Sequence, residues 1–394
     1  MNQTTPVRPD MFCPLLDDYR CGDFFFGTAH GRLLARDTLA RIRRPVDAQL
    51  AAEVTTSLRT AREGGHDNPV AVGALPFHAG QDSNLHIPLT VARSAAAGIA
   101  PAPRPTGRGV LAVSRLPEPE QYAAGVARAV AAIRAGHARK IVLARALDIT
   151  PADPVDPAEV LAHLVHHDPH AFGFAVSVTP RDTTSAHRTL VGASPELLLS
   201  RRGKHVVSHP LAGSIPRSPD PREDKARAQS LQASAKDHDE HSHVTEGIAA
   251  ALLPHCRKLH VPAAPSVVRT ATMWHLATRI TAELRSPDTS SLDLALALHP
   301  TPAVCGSPLA AAHAVIAASE PFDRGLYTGM VGWCDESGDG EWAVTIRCAE
   351  INHRNVRLFA GAGIVADSCP ESELAETSAK FQTMLNALGL PNTL

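Results

Sequence analysis

The sequence predicts an α+β fold, in which antiparallel strands are mixed with long helices. Three β-rich runs near the C-terminus are separated only by the loops ESGDG and NHRN, which is typical of an antiparallel meander. Earlier in the chain, alanine-rich helical runs alternate with short apolar runs. This pattern favours α+β packing over a doubly wound parallel sheet. With 394 residues, 44% of them apolar, the chain can bury a sizeable core.

Hydrophobic periodicity and turn residues define the individual elements. A helix is predicted over 118–139, where acidic residues occupy the first turn. Arg202 and Gly203 form a predicted hairpin turn between two apolar runs. A long polar helix is expected at about 221–253, and a last helix over 371–388. The other predicted elements are a helix over 157–168 and β runs over 140–149, 172–178, 189–194, 196–213, 326–335, 341–351 and 356–365.

Charge and cysteine content argue against several functional classes. The 38 basic and 40 acidic residues leave a formal net charge of −2, whereas a nucleic-acid binder or a polybasic membrane anchor needs a basic surface. No run of 18 apolar residues occurs and the N-terminus does not resemble a signal peptide, so a cytoplasmic protein is expected. The seven cysteines show no CxxC spacing and are expected to be reduced thiols.

The predicted last helix carries the first candidate site. Glu373, Glu376 and Lys380 are spaced i, i+3 and i+7, and therefore share one helical face. The preceding β run ends in Gly361 and Gly363, and glycine lets a ligand approach the backbone closely. Two carboxylates facing such a strand end are consistent with a metal and anion site. An exposed helix with an ordinary Glu–Lys pair fits the same spacing, so both interpretations stay open.

Glu240, on the predicted long polar helix, is a second source of a carboxylate. Hard cations such as Mg²⁺ take one or two carboxylates together with water and substrate oxygens. Neighbouring histidines match neither HExxH nor HxxEH, and no paired cysteine supports a zinc site. A solvated charged face explains the same residues equally simply. The histidines concerned are His238, His241 and His243 on this helix, and His163, His166, His167 and His170 in a segment expected at the surface.

Lys140 and Glu196 are candidates for proton transfer. Lys140 begins an apolar strand, and desolvation beside apolar walls favours the neutral form of a lysine, which can act as a base. Glu196 follows a turn-forming Ser194-Pro195 pair and precedes leucines, where a half-buried carboxyl would be a proton donor. The alternatives are a strand-edge lysine that prevents aggregation and a glutamate on the wet face of a strand.

Several longer strings are more specific than these single positions. In chain order they are KIVLAR, GASPELLLSR, HPLAGSIPR, ASAKDHDEH, MWHLAT, LHPTPAVCG, GMVGWCDESGDGEWAVTIRCA, FAGAGIV and ELAET, and they extend over about 140–380. They resemble the chorismate-utilising enzymes, and isochorismate synthases most closely. The resemblance implies a single large catalytic unit with two β-sheets flanked by helices, and two subdomains with the site between them. Residues 1–109 would be the N-terminal part of this fold, ending in a Pro/Gly linker at 100–109, and 110–394 the chorismate-binding catalytic region.

The same resemblance implies roles for individual residues. Lys140 corresponds to the base that activates water for attack at C2 of chorismate, and Glu196 to the acid that protonates the leaving C4 hydroxyl. Glu240 and Glu376 correspond to Mg²⁺ ligands, with Glu373 nearby. Arginine suits a substrate carboxylate because its planar fork can bind both oxygens. The implied substrate-binding positions are Gly213, Ser214, His275, Ala303, Arg347, Gly361 and Lys380.

Three positions separate the activities within this family. Ala212 stands where aminodeoxychorismate synthases carry a nucleophilic lysine, and Lys140 is the base that anthranilate synthases usually lack. Ala303 stands where salicylate synthases usually have threonine. The resemblance therefore implies an isomerase that makes isochorismate, feeding 2,3-dihydroxybenzoate siderophore synthesis. A salicylate synthase and a catalytically inactive chorismate-binding subunit are the alternatives. A monomer without a glutaminase partner, a nucleic acid or a membrane is expected.

Overall fold

The computed structural model describes most of the chain, and the structural statements below concern those residues. The predicted linker at 100–109 lies largely outside them. Helices and antiparallel strands together make up the described part, which confirms the α+β prediction. The described residues are 14–28, 30–95, 105, 107–178 and 188–391.

Two large antiparallel sheets and one small sheet form the scaffold of this part of the chain, with strands numbered in chain order. The 10-stranded sheet contains, in spatial order, β18 (Gly306–Ser307), β8 (Lys140–Pro151), β22 (Asn355–Ile364), β21 (Cys348–Asn352), β10 (Arg188–Ser194), β9 (Phe172–Val178), β1 (Phe24–Thr28), β2 (Gly31–Arg36) and β6 (Thr90–Ser94), and β7 (Val110–Leu116) pairs with β8. The 9-stranded sheet contains β14 (Cys256–His260), β17 (Ile280–Leu284), β12 (His205–His209), β11 (Leu197–Arg202), β20 (Gly340–Val344), β19 (Met330–Asp335), β4 (Val70–Leu75), β5 (Asn84–Ile87) and β3 (Ala40–Ile42). The 3-stranded sheet is β13 (Leu211–Pro216), β16 (Met273–Ala277) and β15 (Ser266–Arg269).

Helices pack against the two large sheets, and α5 packs against the small sheet. They are α1 (Pro14–Asp17), α2 (Leu50–Glu63), α3 (Pro119–Arg134), α4 (Pro157–His167), α5 (Pro221–Ala233), α6 (Ala235–Leu252), α7 (Ser291–Leu298), α8 (Leu309–Ser319) and α9 (Pro370–Leu388). No helix among the described residues has the length and apolar character needed to cross a membrane.

The two large sheets face each other across an apolar layer. Phe24 and Phe174 come from the first sheet, and Val72 and Val331 from the second, and all four belong to one buried cluster. A second cluster joins α4 and α9 to the first sheet, and a third joins α2, α6 and α7 to the second. Strands from residues 24–94 contribute to both large sheets. These packed layers hold α6 and α9 in fixed positions, and the candidate site depends on both helices.

The predicted helix over 221–253 is interrupted in the structure. Ser234 has a ψ of 111° and separates α5 from α6. Its side chain accepts a hydrogen bond from the Asp237 backbone N–H at 3.3 Å, so it acts as the N-cap of α6. Serine competes well for free N–H groups at a helix start, and it therefore favours a break here. On the C-terminal side of the break, Glu240 and His241 lie on the buried face of α6.

The prediction of a C-terminal three-stranded meander is wrong. The run 341–351 divides into β20, in the second sheet, and β21, in the first, so the chain crosses between the sheets at Thr345–Arg347. Arg347 has a left-handed φ of 52° at this crossing. Strand β19 also begins later than predicted, at Met330, because Thr328 has a φ of 59°. Apolar, β-branched residues continue through the crossing, which explains why hydrophobic pattern alone suggested one strand.

Candidate active site

A cavity of about 640 Å³ lies at the crossing between the sheets, beside the small sheet and α9. Every predicted site residue lines it except Lys140 and Glu373, whose side chains lie just behind its wall. The predicted residues that line it are Glu196, Gly213, Ser214, Glu240, His275, Ala303, Arg347, Gly361, Glu376 and Lys380. The fold therefore brings together groups that are up to 184 positions apart in the sequence.

Lys140 and Glu240 form a buried ion pair at one wall of the cavity. Lys140 begins β8 and is fully buried, and its Nζ lies 3.1 Å from Oε1 of Glu240. Within the described residues Nζ makes no hydrogen bond of good geometry. Gly363 makes room for the pair, since a Cβ there would lie 2.0 Å from the same glutamate oxygen. The glycine run therefore accommodates a carboxylate of the protein itself, in addition to lining the cavity at Gly361.

Two further lysine–glutamate pairs involve the last helix. Lys380 Nζ lies 2.5 Å from Glu376 Oε1 and donates to the Gly361 carbonyl oxygen at 2.8 Å. Ser214 Oγ also donates to Glu376 Oε1, at 2.8 Å. Glu373, one turn earlier, is paired at 2.6 Å with Lys236, which comes from α6. The predicted shared face of α9 thus points inward and is buried rather than exposed.

The two α9 carboxylates interact electrostatically. Burial, together with the charge of Glu376, raises the pKa of Glu373 to about 7. Burial opposes ionisation of Glu376 as well, but Lys380, Lys236 and the Ser214 hydroxyl together outweigh it and lower the pKa of that carboxyl. Oε2 of Glu373 is buried and has no hydrogen-bond partner among the described residues. A bound cation would reduce the repulsion between the two carboxylates and would give Oε2 of Glu373 a partner.

This donor set fits a hard divalent cation, since carboxylate oxygens are the ligands such cations prefer. Glu240 and Glu376 reach the cavity from α6 and α9, and Glu373 stands behind them. No group of three His, Cys, Asp or Glu side chains in the described ranges is already gathered closely enough to bind a metal. The lysines hold the carboxylates in ion pairs instead. Binding of a dication would therefore require small movements of these side chains.

Glu196 presents a carboxyl group in a dry environment. It follows Pro195 between β10 and β11, and its backbone carbonyl accepts from the Val344 N–H at 3.1 Å. The residue is only 3% exposed, and burial raises the pKa of its carboxyl to about 7, against the opposing effect of the Leu211 N–H. At neutral pH a large part of this carboxyl carries a proton, so it can serve as an acid.

His275 and Arg347 form the polar end of the cavity. His275 lies on β16 directly opposite Ser214 of β13. Burial and the adjacent Arg347 charge hold the pKa of His275 well below its usual value, so the ring is neutral. Arg347 Nη2 lies 3.5 Å from His275 Nε2. Burial lowers the pKa of Arg347 to about 10, which still leaves a cation facing the cavity at neutral pH.

Several residues of the site were not predicted from the sequence. Tyr327, Thr328 and Phe359 also line the cavity, and the Tyr327 and Phe359 rings stack at 4.7 Å. Tyr327 was placed in a strand, whereas it belongs to the turn before β19. Lys236 was overlooked, although its i, i+4 spacing to Glu240 placed both residues on one helical face.

The fold and cavity define an enzyme-type site for a small anionic molecule, with buried cations, a protonated carboxyl and a carboxylate cluster suited to a divalent metal. Residues 92–389 match the family model described as "Chorismate binding enzyme". The chain belongs to this family of chorismate-binding enzymes. Its relatives within the family include isochorismate synthases, which confirms the resemblance seen in the sequence.

The similarity to these relatives covers nearly the whole chain. The chain is 48% identical over 382 residues to isochorismate synthase DhbC of Bacillus subtilis, covering 95% of this chain and 96% of the relative. It is 39% identical to isochorismate synthase EntC of Escherichia coli, covering 93% and 95%. Among solved structures, a putative 2,3-dihydroxybenzoate-specific isochorismate synthase, DhbC from Bacillus anthracis, superposes with a TM-score of 0.92 at 46% identity, covering 96% of this chain and 99% of that one.

Proposed function

We propose that this protein is an isochorismate synthase, an isomerase that converts chorismate to isochorismate. Water would add at C2 of the ring while the hydroxyl at C4 leaves. The observation that carries the proposal is the convergence of Lys140, Glu196, Arg347 and the α9 carboxylates on one cavity, as described above. The high identity to isochorismate synthases over almost the full length supports it.

Lys140 is proposed as the general base. In its neutral form Nζ removes a proton from the water that attacks C2. The lysine is fully buried and lies against Gly363, which lines the cavity. Glu240, 3.1 Å away, orients the amine and is in a position to stabilise it after it accepts the proton.

Glu196 is proposed as the general acid. Its protonated carboxyl donates to the C4 oxygen as the C–O bond breaks, so the hydroxyl leaves as water. One water molecule enters and one leaves, which makes the overall reaction an isomerisation. Because the reverse reaction follows the same path, Lys140 and Glu196 exchange roles when isochorismate is the substrate.

Arg347 and Lys380 are proposed to hold the substrate carboxylates. Both cations line the cavity, and the guanidinium can engage a carboxylate through two parallel hydrogen bonds. Neutral His275 helps to orient the guanidinium, because its Nε2 accepts a hydrogen bond from Arg347 Nη2 at 3.5 Å. Gly213 brings its backbone close to α6 with a φ of 77°, where a Cβ would lie 2.9 Å from Asp237, and Ser214 follows at the cavity wall.

Magnesium is the proposed cofactor. Glu240 and Glu376 would bind the ion directly, and Glu373, one helical turn before Glu376, would add negative charge close to it. When bound, Mg²⁺ would neutralise charge between the acidic residues and a substrate carboxylate. We also propose that the protein acts as a cytoplasmic monomer without a glutaminase partner, and that its isochorismate feeds 2,3-dihydroxybenzoate siderophore synthesis. Residues 1–109 and 110–394 are proposed to be the N-terminal and catalytic parts of one unit.

Product analysis tests this function directly. Purified protein is incubated with chorismate and Mg²⁺, and the products are separated by chromatography. We expect isochorismate, of the same mass as chorismate and in equilibrium with it, with little pyruvate. Stoichiometric salicylate and pyruvate would instead identify a salicylate synthase. An aminated product that depends on ammonia, or no turnover at all, would also refute the proposal.

A further inference from the structure

A wide surface cleft adjoins the active-site cavity. It has a volume of about 1160 Å³ and shares the lining residues Pro195 and Leu211 with the cavity. A smaller space of about 390 Å³ lies between the two, since it shares Arg347 with the cavity and Asp168 and Thr270 with the cleft. Among the described residues these three spaces therefore adjoin one another between the surface and Arg347.

The cleft is lined by two arginines whose side chains have no ion-pair or hydrogen-bond partner among the described residues. Arg269, at the end of β15, and Arg279, between β16 and β17, both line it and are exposed. Neither side chain takes part in an ion pair or hydrogen bond with any described residue, whereas most arginines near the site are paired. Arg269 is held by the backbone pairing of β15 with β16, the strand that carries His275 and ends two residues before Arg279.

The acidic side chains that line the cleft, Asp168 and Glu341, are only partly exposed, whereas the two arginines are exposed. Asp168 accepts a hydrogen bond from the Ala271 backbone N–H at 3.2 Å. Burial raises the pKa of Glu341, against the opposing effect of the Arg202 charge. His209 also lines the cleft, and burial together with the charge of Arg279 lowers its pKa. The two arginines are therefore the dominant exposed charges of the cleft.

We propose that this cleft is the entry route of the substrate and its first binding site, where Arg269 and Arg279 attract a dianion before it reaches Arg347. The proposal rests on the proposed function, which makes the substrate a small dicarboxylate. A cleft lined by charges of one sign between low-dielectric walls concentrates ions of the opposite charge. Two arginines with no internal partner are suited to this task, because a passing carboxylate need not displace another anion. Arg269 and Arg279 are thus substrate-capturing residues, while the chemistry takes place deeper in the protein.

Steady-state kinetics of a double variant tests the proposal. In Arg269→Gln/Arg279→Gln we expect an unchanged kcat and a KM for chorismate raised about tenfold at low ionic strength. At about 0.5 M salt the difference should shrink to less than about twofold, because the Debye length becomes only a few ångströms. The matched control is Arg59→Gln, which removes an exposed arginine from α2, away from the three spaces. It should leave KM unchanged at both salt concentrations.

A charge-retaining variant separates electrostatic capture from other effects. Arg269→Lys/Arg279→Lys should keep the KM of the wild-type protein within about twofold, since Coulomb attraction depends on charge and not on side-chain shape. An unchanged KM in the glutamine variant, or an increase that persists at high salt, would overturn the proposal. Failure of the proposed function has a different signature, because the wild-type protein itself would then make no isochorismate.

Discussion

A single substitution of Glu196 tests two things: the role of its carboxyl in catalysis, and the effect of its burial on the free energy of unfolding. Burial raises the pKa of this group from 4.5 to about 7. At pH 7 roughly half of the carboxyl is then protonated, compared with about 0.3% for an ordinary glutamate, so the supply of acid is about 150-fold larger. If Glu196 is the general acid, kcat/KM of the wild-type protein should fall about tenfold per pH unit above pH 7.

The Glu196→Gln variant should lose both the rate and this alkaline limb. Without a proton donor at C4, we expect kcat to fall by about 10²–10⁴, and the remaining activity should not decline with the same midpoint. Glu196→Asp is the matched control, since it keeps a carboxyl and should retain a falling alkaline limb. Initial rates between pH 5 and pH 9, measured by chromatography of isochorismate, provide the profiles.

The same Glu196→Gln substitution, which lowers activity, should raise the stability of the protein at alkaline pH. Between pH 4.5 and about 7 the unfolded chain releases the Glu196 proton while the native protein keeps it. The unfolded state then binds fewer protons, so the free energy of unfolding falls as pH rises through this interval. A shift of this size corresponds to at most about 3 kcal/mol, and glutamine avoids it because it stays neutral. Relative to wild type, Glu196→Gln should be more stable at pH 8 than at pH 4.5, as measured by urea unfolding.

Two results would contradict this reasoning about Glu196. One is a glutamine variant that keeps a near-normal rate together with the alkaline limb, since another group would then supply the proton. The other is a stability difference from wild type that is the same at both pH values, since the carboxyl would then titrate alike in the folded and unfolded states. Either result would remove the link between burial and acid catalysis.

Three further substitutions test other parts of the site. Lys140→Ala should lower kcat by about 10²–10⁴ with chorismate and with isochorismate, because the same residue serves both directions; near-normal rates would mean that another group activates water. Glu240→Gln should weaken Mg²⁺ binding in calorimetric titrations, and excess chelator should abolish wild-type turnover; full activity in chelator would contradict the metal assignment. Ala303→Thr adds one hydroxyl at the cavity and should raise the fraction of turnover that releases pyruvate by at most about tenfold. A coupled pyruvate assay measures this fraction. An unchanged fraction would show that position 303 does not control whether the product is isochorismate or salicylate.

Sequence reasoning succeeded where neighbouring residues determine the structure. The helix at Pro157–His167 and the strand at Phe172–Val178 end within one residue of their predicted limits, because capping and β-branched runs are local signals. The shared face of Glu376 and Lys380 followed from helical periodicity, and the two side chains form an ion pair. The roles of these residues came instead from strings shared with a known family, since spacing alone was equally consistent with an exposed helix.

The crossing between the sheets could not be predicted in this way. Residues 341–351 contain no glycine, proline or other turn residue, and only tertiary packing decides that β20 and β21 join different sheets. The left-handed backbone of Arg347 results from that crossing. Likewise, the pairing of Lys236 with Glu373 depends on how α6 meets α9, which no local pattern contains. The site is therefore made mainly from long-range contacts between locally predictable elements.

The charges at the site explain why metal and substrate should bind together. Above pH 7 the three lysine–glutamate ion pairs are neutral overall, and the ionised carboxyl of Glu196, whose pKa is about 7, offsets the positive charge of Arg347. A dianionic substrate alone, or a dication alone, would change the net charge of a buried site by two, which is costly where water is excluded. Together they leave it unchanged, so each should raise the affinity for the other, typically by about 5–150-fold, and the coupling must be reciprocal. Calorimetric titration of Mg²⁺ with and without a non-reacting dicarboxylate analogue measures this coupling, and equal affinities would refute the charge argument. The groups concerned are the pairs Lys140–Glu240, Lys236–Glu373 and Lys380–Glu376, together with Arg347 and Glu196.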